Sequence, residues 1–175
     1  MKKNRTLIIA LALIGILSIY DLSLGLQSIT SATSQFITML KIVPPIFLLI
    51  GLLDVWVPRE TMIKIMGEKS GIVGILIAFV FGTLAAGPLV GAFPLAMVML
   101  KKGARYANVL FFLMIWASAK LPILFYQVTT LGLKFTVVSN ITLIIVYLIG
   151  SFAVEKLFTK DEMIEIYDRA KEYSK

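Results

Sequence analysis

The sequence predicts an all-α, polytopic integral membrane protein of about five apolar segments, one of them a broken or re-entrant helical hairpin, followed by a C-terminal amphipathic helix. Three observations carry that prediction. The chain of 175 residues is 59% hydrophobic and only 15% charged, where a soluble domain sits near 45–50% apolar and about 25% charged. Apolar runs of roughly 18 residues or more recur along it, each long enough to cross a hydrocarbon layer of about 30 Å. Its cations gather in short stretches between those runs, as membrane-protein loops require. The organisation expected is a membrane domain over residues 1–158 and a tail helix over 159–175.

The opening MKKNR, followed by TLIIALALIGILSIY, has the basic start and apolar middle of a signal peptide,. The apolar stretch continues to about Leu26 with no small-residue cleavage pattern behind it, so it reads as an uncleaved first span, residues 6–26. LQSITSATSQ, polar and uncharged, reads as a short loop. A second span over 36–57 holds Pro44 and Pro45, each of which removes a backbone donor and crowds the preceding turn. PRETMIKIMGEKSG, with Pro58 suited to a helix start and Gly67 to its end, reads as a short helix at the membrane surface. Residues 71–100 are apolar but interrupted by GPLVGAFP. A span over 106–131 and a last span over 135–155 follow. In the tail, Thr159 and Glu162 have capping-box spacing, and Met163, Ile166, Tyr167 and Ala170 fall on one helical face.

Charge decides how to read the interrupted run. If residues 71–100 formed one kinked span, Lys101, Lys102 and Arg105 would lie across the membrane from Arg59, Lys64 and Lys69. If the run enters, turns near Gly87-Pro88 and returns, both clusters share a face with Lys2, Lys3, Arg5 and the tail, and only Lys134 lies opposite. The positive-inside rule favours the second arrangement, with both termini cytoplasmic. Each arm, at about 14 residues, is too short to cross alone. Freed amides at membrane depth persist only where protein or a watery cavity receives them, and discontinuous helices of this kind form the binding sites of transporters. Pro88 is placed to start the second arm, whose positive dipole end would favour an anion. Gly82, Gly87 and Gly91 would admit a close backbone or solute. The alternative reading of these glycines is helix packing through a face such as Gly87–Gly91.

Lys120, in WASAKLP, falls inside an apolar span. A cation there costs at least about 2.5–3.5 kcal/mol on insertion scales, so it is expected to face the bundle interior. Freed carbonyls, a partner subunit or a bound anion would pair with it, and Pro122 frees a carbonyl close by. Lys41 can snorkel to an interface, and Asp54 is near enough in sequence to pair with Arg59. A serine–lysine dyad of Ser118 and Lys120 is excluded, since two residues apart on a helix they face different ways. The expected solute-binding set is therefore Lys120, Gly87, Pro88, Gly91 and Pro94.

Composition excludes other classes. With no cysteine and no histidine, the chain has no disulfide, thiolate nucleophile, histidine acid–base group or ordinary zinc site. No metal, cofactor or catalytic residue is expected. The net charge of +7 reads as loop cations facing anionic lipid, and no nucleic-acid partner is expected.

The stretch VPRETMIKIMGEKSG through GTLAAGPLVGAFPLAMVMLKKGARYANVLFFLMIWASAKLP resembles the predicted-permease family that includes organoarsenical efflux permeases. The likeness covers about residues 57–132 and is carried by Pro88, Gly91, Pro94, Gly103, Ala104 and Lys120-Leu121-Pro122. It implies a permease of the prokaryotic inner membrane, and a half-size member at that, because longer relatives hold two such halves; a homodimer would supply the second. Those relatives carry cysteine in the break, whereas GPLVGAFP has none. Thiolate capture of trivalent arsenic therefore has no basis here, and Met97, Met99 and Met114 are poor substitutes. The function expected is alternating-access transport of a small anionic or oxyanion-like solute. The alternatives are an ion channel and a non-transporting membrane subunit or scaffold that recruits a cytoplasmic partner through the tail helix.

Overall fold

The computed structural model describes residues 10, 13–16, 18, 19, 21–84 and 87–172. Among them every regular element is helical. The chain divides into two compact units, Met1–Pro45 and Ile46–Lys175. Of the expected first span, 6–26, residues 6–9, 11, 12, 17 and 20 lie outside the described residues.

Helix α1 runs Leu22–Trp56 without interruption, with Pro44 and Pro45 inside it. The predicted loop LQSITSATSQ is therefore helical. It contains neither glycine nor proline, and its hydroxyls bond back to their own helix: Ser28 to Leu24 O and Thr30 to Leu26 O, each at 2.8 Å. A hydroxyl satisfied at i−4 leaves the helix intact and lowers the cost of apolar surroundings. Polarity alone was a poor stop signal. Within the first unit, Lys41 is exposed and borders a shallow groove with Thr30, Ser34 and Thr38.

The second unit holds the remaining elements. Helix α2 spans Arg59–Met66 between Pro58 and Gly67, as their residue types predict. A 3-10 turn, Glu68–Ser70, leads into helix α3, Gly71–Leu84. A second 3-10 turn, Leu89–Gly91, leads into helix α4, Ala92–Lys101. Helices α5 (Tyr106–Ser118), α6 (Leu121–Leu131), α7 (Leu133–Leu157) and α8 (Lys160–Glu172) complete it.

The interrupted run reverses direction. Arg105, just beyond α4, donates its backbone N–H to Met66 O at 2.8 Å, so the end of α4 lies beside the residues that precede α3. The reversal is made at Gly87, whose φ of 109° only glycine adopts without strain,. Pro88 follows, extended at φ −70° and ψ 153°, as the residue that opens the second arm. A straight rod from Gly71 to Leu100 is ruled out.

The predicted span 106–131 is not continuous. It breaks at Ala119–Lys120, and α5 and α6 meet at a bend of 44°. Pro122 explains the break: it has no N–H for Ser118 O, and its ring would crowd that carbonyl. Helix α3 packs along α5 through Gly74, Ala78 and Gly82, all buried. A Cβ on Gly82 would stand 2.7 Å from Ile115 Cγ2 and 3.0 Å from Phe112 O. The small-residue face is therefore this one, not Gly87–Gly91, which lie in a bend and a 3-10 turn.

The core gathers around α4 and α5, with Ala92, Leu95, Met99, Phe111, Phe112 and Ile115 buried. Among the described residues α7 is long and apolar enough to cross a membrane by itself, and α5–α6 and α2–α3 each qualify as a bent pair. Helix α8 carries the expected capping box: Glu162 accepts from the Thr159 N–H and hydroxyl, both at 2.8 Å. Its apolar face lies inward, with Ala170 buried and Ile166 and Tyr167 packed on the core.

Candidate functional site at the meeting of two helix breaks

Two interruptions of the helical ladder come together in the second unit. One is the turn at Gly87 between α3 and α4; the other is the break at Ala119–Lys120 between α5 and α6. Lys120 Nζ donates to Gly87 O at 2.7 Å, and Trp116 Nε1 donates to the same carbonyl at 3.3 Å. Trp116 is itself buried and held edge-on against Phe112, with ring centroids 5.5 Å apart. The indole is thus a fixed post behind the lysine.

Local sequence explains why the lysine sits there. Ala119 closes α5 with its N–H on Ile115 O at 2.8 Å, and Lys120 opens α6 by accepting from the Leu124 N–H at 3.0 Å. Lys120 is extended at φ −72° and ψ 150°, the geometry usual for the residue that precedes the first turn of a helix. Its ammonium has three donors, and Gly87 O is the one acceptor it reaches among the described residues. Thr83, in the last turn of α3, buries a hydroxyl that has no partner among them. The ammonium's two remaining donors can each take a hydrogen-bond acceptor.

Of the predicted set, the structure brings Lys120 and Gly87 together, with Pro88 following Gly87 in the chain. Gly91 and Pro94 sit further along the arm, Gly91 closing the 3-10 turn on Pro88 O at 3.1 Å and Pro94 in the first turn of α4. Lys120 bonds to neither. The serine–lysine dyad is absent, since the Ser118 hydroxyl bonds to Met114 O at 2.9 Å. The Asp54 side chain, expected near Arg59, lies outside the described residues.

Sequence reasoning passed over the opposite end of the hairpin. There Glu155 of α7 receives Arg105 through Nε at 2.9 Å and Nη2 at 2.6 Å, and also the Ala107 N–H at 3.0 Å. The Arg105 guanidinium lies 4.6 Å from the centre of the Phe152 ring. Its bond to Glu155 holds the Arg105 pKa above its ordinary value, against the opposing effect of burial. Asn108 donates to Met66 O at 2.9 Å, and Lys102 Nζ to Val57 O at 2.6 Å. Tyr167 donates to Ala104 O at 2.9 Å, and burial raises its pKa. The available signals were an asparagine inside an apolar span and one acid near the end of the last.

The ArsP_1 family, described as predicted permease, matches residues 25–175. The chain belongs to this predicted-permease family. That match takes in both helix breaks, the Arg105–Glu155 pair and the tail helix. No curated protein and no solved structure matches the permease.

Proposed function

We propose that this permease moves a small anionic or oxyanion-like solute by alternating access at a discontinuous-helix site formed by Lys120, Gly87, Pro88, Gly91 and Pro94. The single observation that carries the reading is the bond from Lys120 to Gly87 O, which joins two helix breaks through a cation. The bond to Gly87 O is charge-assisted from the donor side alone; an anionic oxygen in its place would add direct Coulomb attraction. An arriving anion would take Lys120 from Gly87 and loosen the turn from the α5–α6 break, coupling binding to movement.

In this reading residues 1–158 form the transporting body, half-size and working as a homodimer in a prokaryotic inner membrane. Residues 159–175 and the N-terminus lie in the cytoplasm, and transport runs as efflux. The hairpin supports that placement by keeping Lys69 and Lys101 at one end of the second unit. The scaffold reading has less support, because the apolar face of α8 is already packed against its own core.

The test is Lys120→Met in proteoliposomes. One lost charged hydrogen bond of about 1.5–3 kcal/mol predicts a fall in transport of about 10- to 100-fold. Wild-type transport by a monodisperse variant would remove Lys120 from the mechanism.

A further inference from the structure

A second polar cluster lies along the inner face of α6. On that helix Ile123, Leu124 and Gln127 are half-buried, like Lys120 before them, while Phe125, Tyr126 and Val128 are exposed. Lys120 and Gln127 therefore share one face, two turns and about 10 Å apart along the axis. Opposite Gln127 stands Asn140 of α7, only 7% exposed. Its amide Nδ2 donates to Gln127 Oε1 at 2.7 Å and to Thr136 O at 2.8 Å. Two acceptors fix the orientation of that amide, because the flipped form would set oxygen against oxygen. Asn140 Oδ1 is then left buried and without a partner. Thr136, 4% exposed, cannot supply a donor, since its hydroxyl is committed to Gly132 O at 2.9 Å.

A buried amide oxygen without a donor costs about 1–3 kcal/mol, and leucine at that position would avoid the cost. We infer that Gln127 and Asn140 form a second station for the permeating solute, at which Asn140 Oδ1 accepts a hydrogen bond from a solute O–H. The inference rests on the permease reading and narrows its substrate class. Lys120 offers only donors and so takes an oxygen acceptor; Asn140 offers an acceptor and so takes a donor. A solute that visits both carries an anionic oxygen and a proton, as a singly ionised oxyacid does. At about 10 Å separation a small solute occupies the stations in turn.

The natural absence of cysteine makes the test direct. Gln127→Cys and Asn140→Cys, with Phe125→Cys and Ile141→Cys as outward-facing controls, are reconstituted in liposomes and treated with a charged methanethiosulfonate. Thiolate formation is suppressed in apolar surroundings, so the two station positions should label about 10-fold faster or more than the controls. In Gln127→Cys, which keeps Asn140 Oδ1, methylphosphonate held as its monoanion should slow labelling; dimethyl phosphate, an anion without an O–H, should not. Labelling as slow as the controls in monodisperse protein would make the pair a dry packing clamp and overturn the station. Equal protection by both anions, or by neither, would overturn the donor requirement. Loss of transport in Lys120→Met alongside unlabelled positions 127 and 140 would leave the permease reading standing and remove only this inference.

Discussion

The two ends of the α3–α4 hairpin are built on opposite principles. At the open end, around Lys102 to Asn108, charged and backbone groups are tied in several directions: Arg105 to Glu155, Lys102 to Val57, Asn108 Nδ2 to Met66, Tyr167 to Ala104, with Asn108 Oδ1 the one buried side-chain atom there that has no partner among the described residues. At the turn, one carbonyl of Gly87 serves both Lys120 and Trp116, and the Thr83 hydroxyl has no partner among the described residues. A site that must hold and release a solute needs unspent hydrogen-bonding capacity, and a scaffold needs most of that capacity spent, as it is at the open end apart from Asn108 Oδ1. The hairpin separates the two roles by the length of its arms.

That contrast breaks first at the packing face between the ends. Gly82→Leu would drive a side chain into Ile115 and the Phe112 backbone and should cost about 3 kcal/mol, read as a lower melting temperature in detergent. At the tied end, Glu155→Ala leaves Arg105 and the Ala107 N–H without their acceptor. Removing one partner of a fully buried pair costs about 3–5 kcal/mol; with side-chain exposures of 28% and 16%, about 2 kcal/mol is expected in the same assay. The opposite pattern belongs to Lys120→Met, which should cut transport about 10- to 100-fold while lowering stability by only about 1.5 kcal/mol, because Trp116 still donates to Gly87 O. The smallest effect concerns the tail. Bonds from Thr159 hold the Glu162 pKa below its ordinary value, so its capping contribution is complete above the ordinary glutamate range and is lost as pH falls through the lowered value. Spectroscopic helicity of the tail should drop in acid, and Glu162→Ala should remove that dependence.

Much of this contrast was legible in the residues. Gly87-Pro88 announced a reversal, Lys120 announced a buried need for a partner, and Thr159 with Glu162 announced the cap. Two features were misread because a local signal competed with a tertiary one. The hydroxyl-rich stretch after Leu26 looked like a loop, but serine and threonine satisfied at i−4 leave a helix whole. Pro122 was read as freeing a carbonyl within one span over 106–131, whereas the helix ends at Ser118 and restarts at Leu121. The Asn140–Gln127 and Arg105–Glu155 pairs were out of reach, because pairs 13 and 50 residues apart become visible only once helices are placed side by side. Gly74, Ala78 and Gly82 were readable at four-residue spacing and were overshadowed by the glycines of the turn.

The central claim is that residues 71–101 fold back and carry their turn to Lys120. Spin labels at Lys69→Cys and Lys101→Cys in lipid nanodiscs measure this directly, because nothing else in the chain carries a thiol. A hairpin predicts a label separation no greater than about 25 Å, the length of one arm and less than the thickness of a bilayer. A separation near 45 Å, the length of about 30 helical residues at 1.5 Å each, would mean a single crossing and would contradict the account.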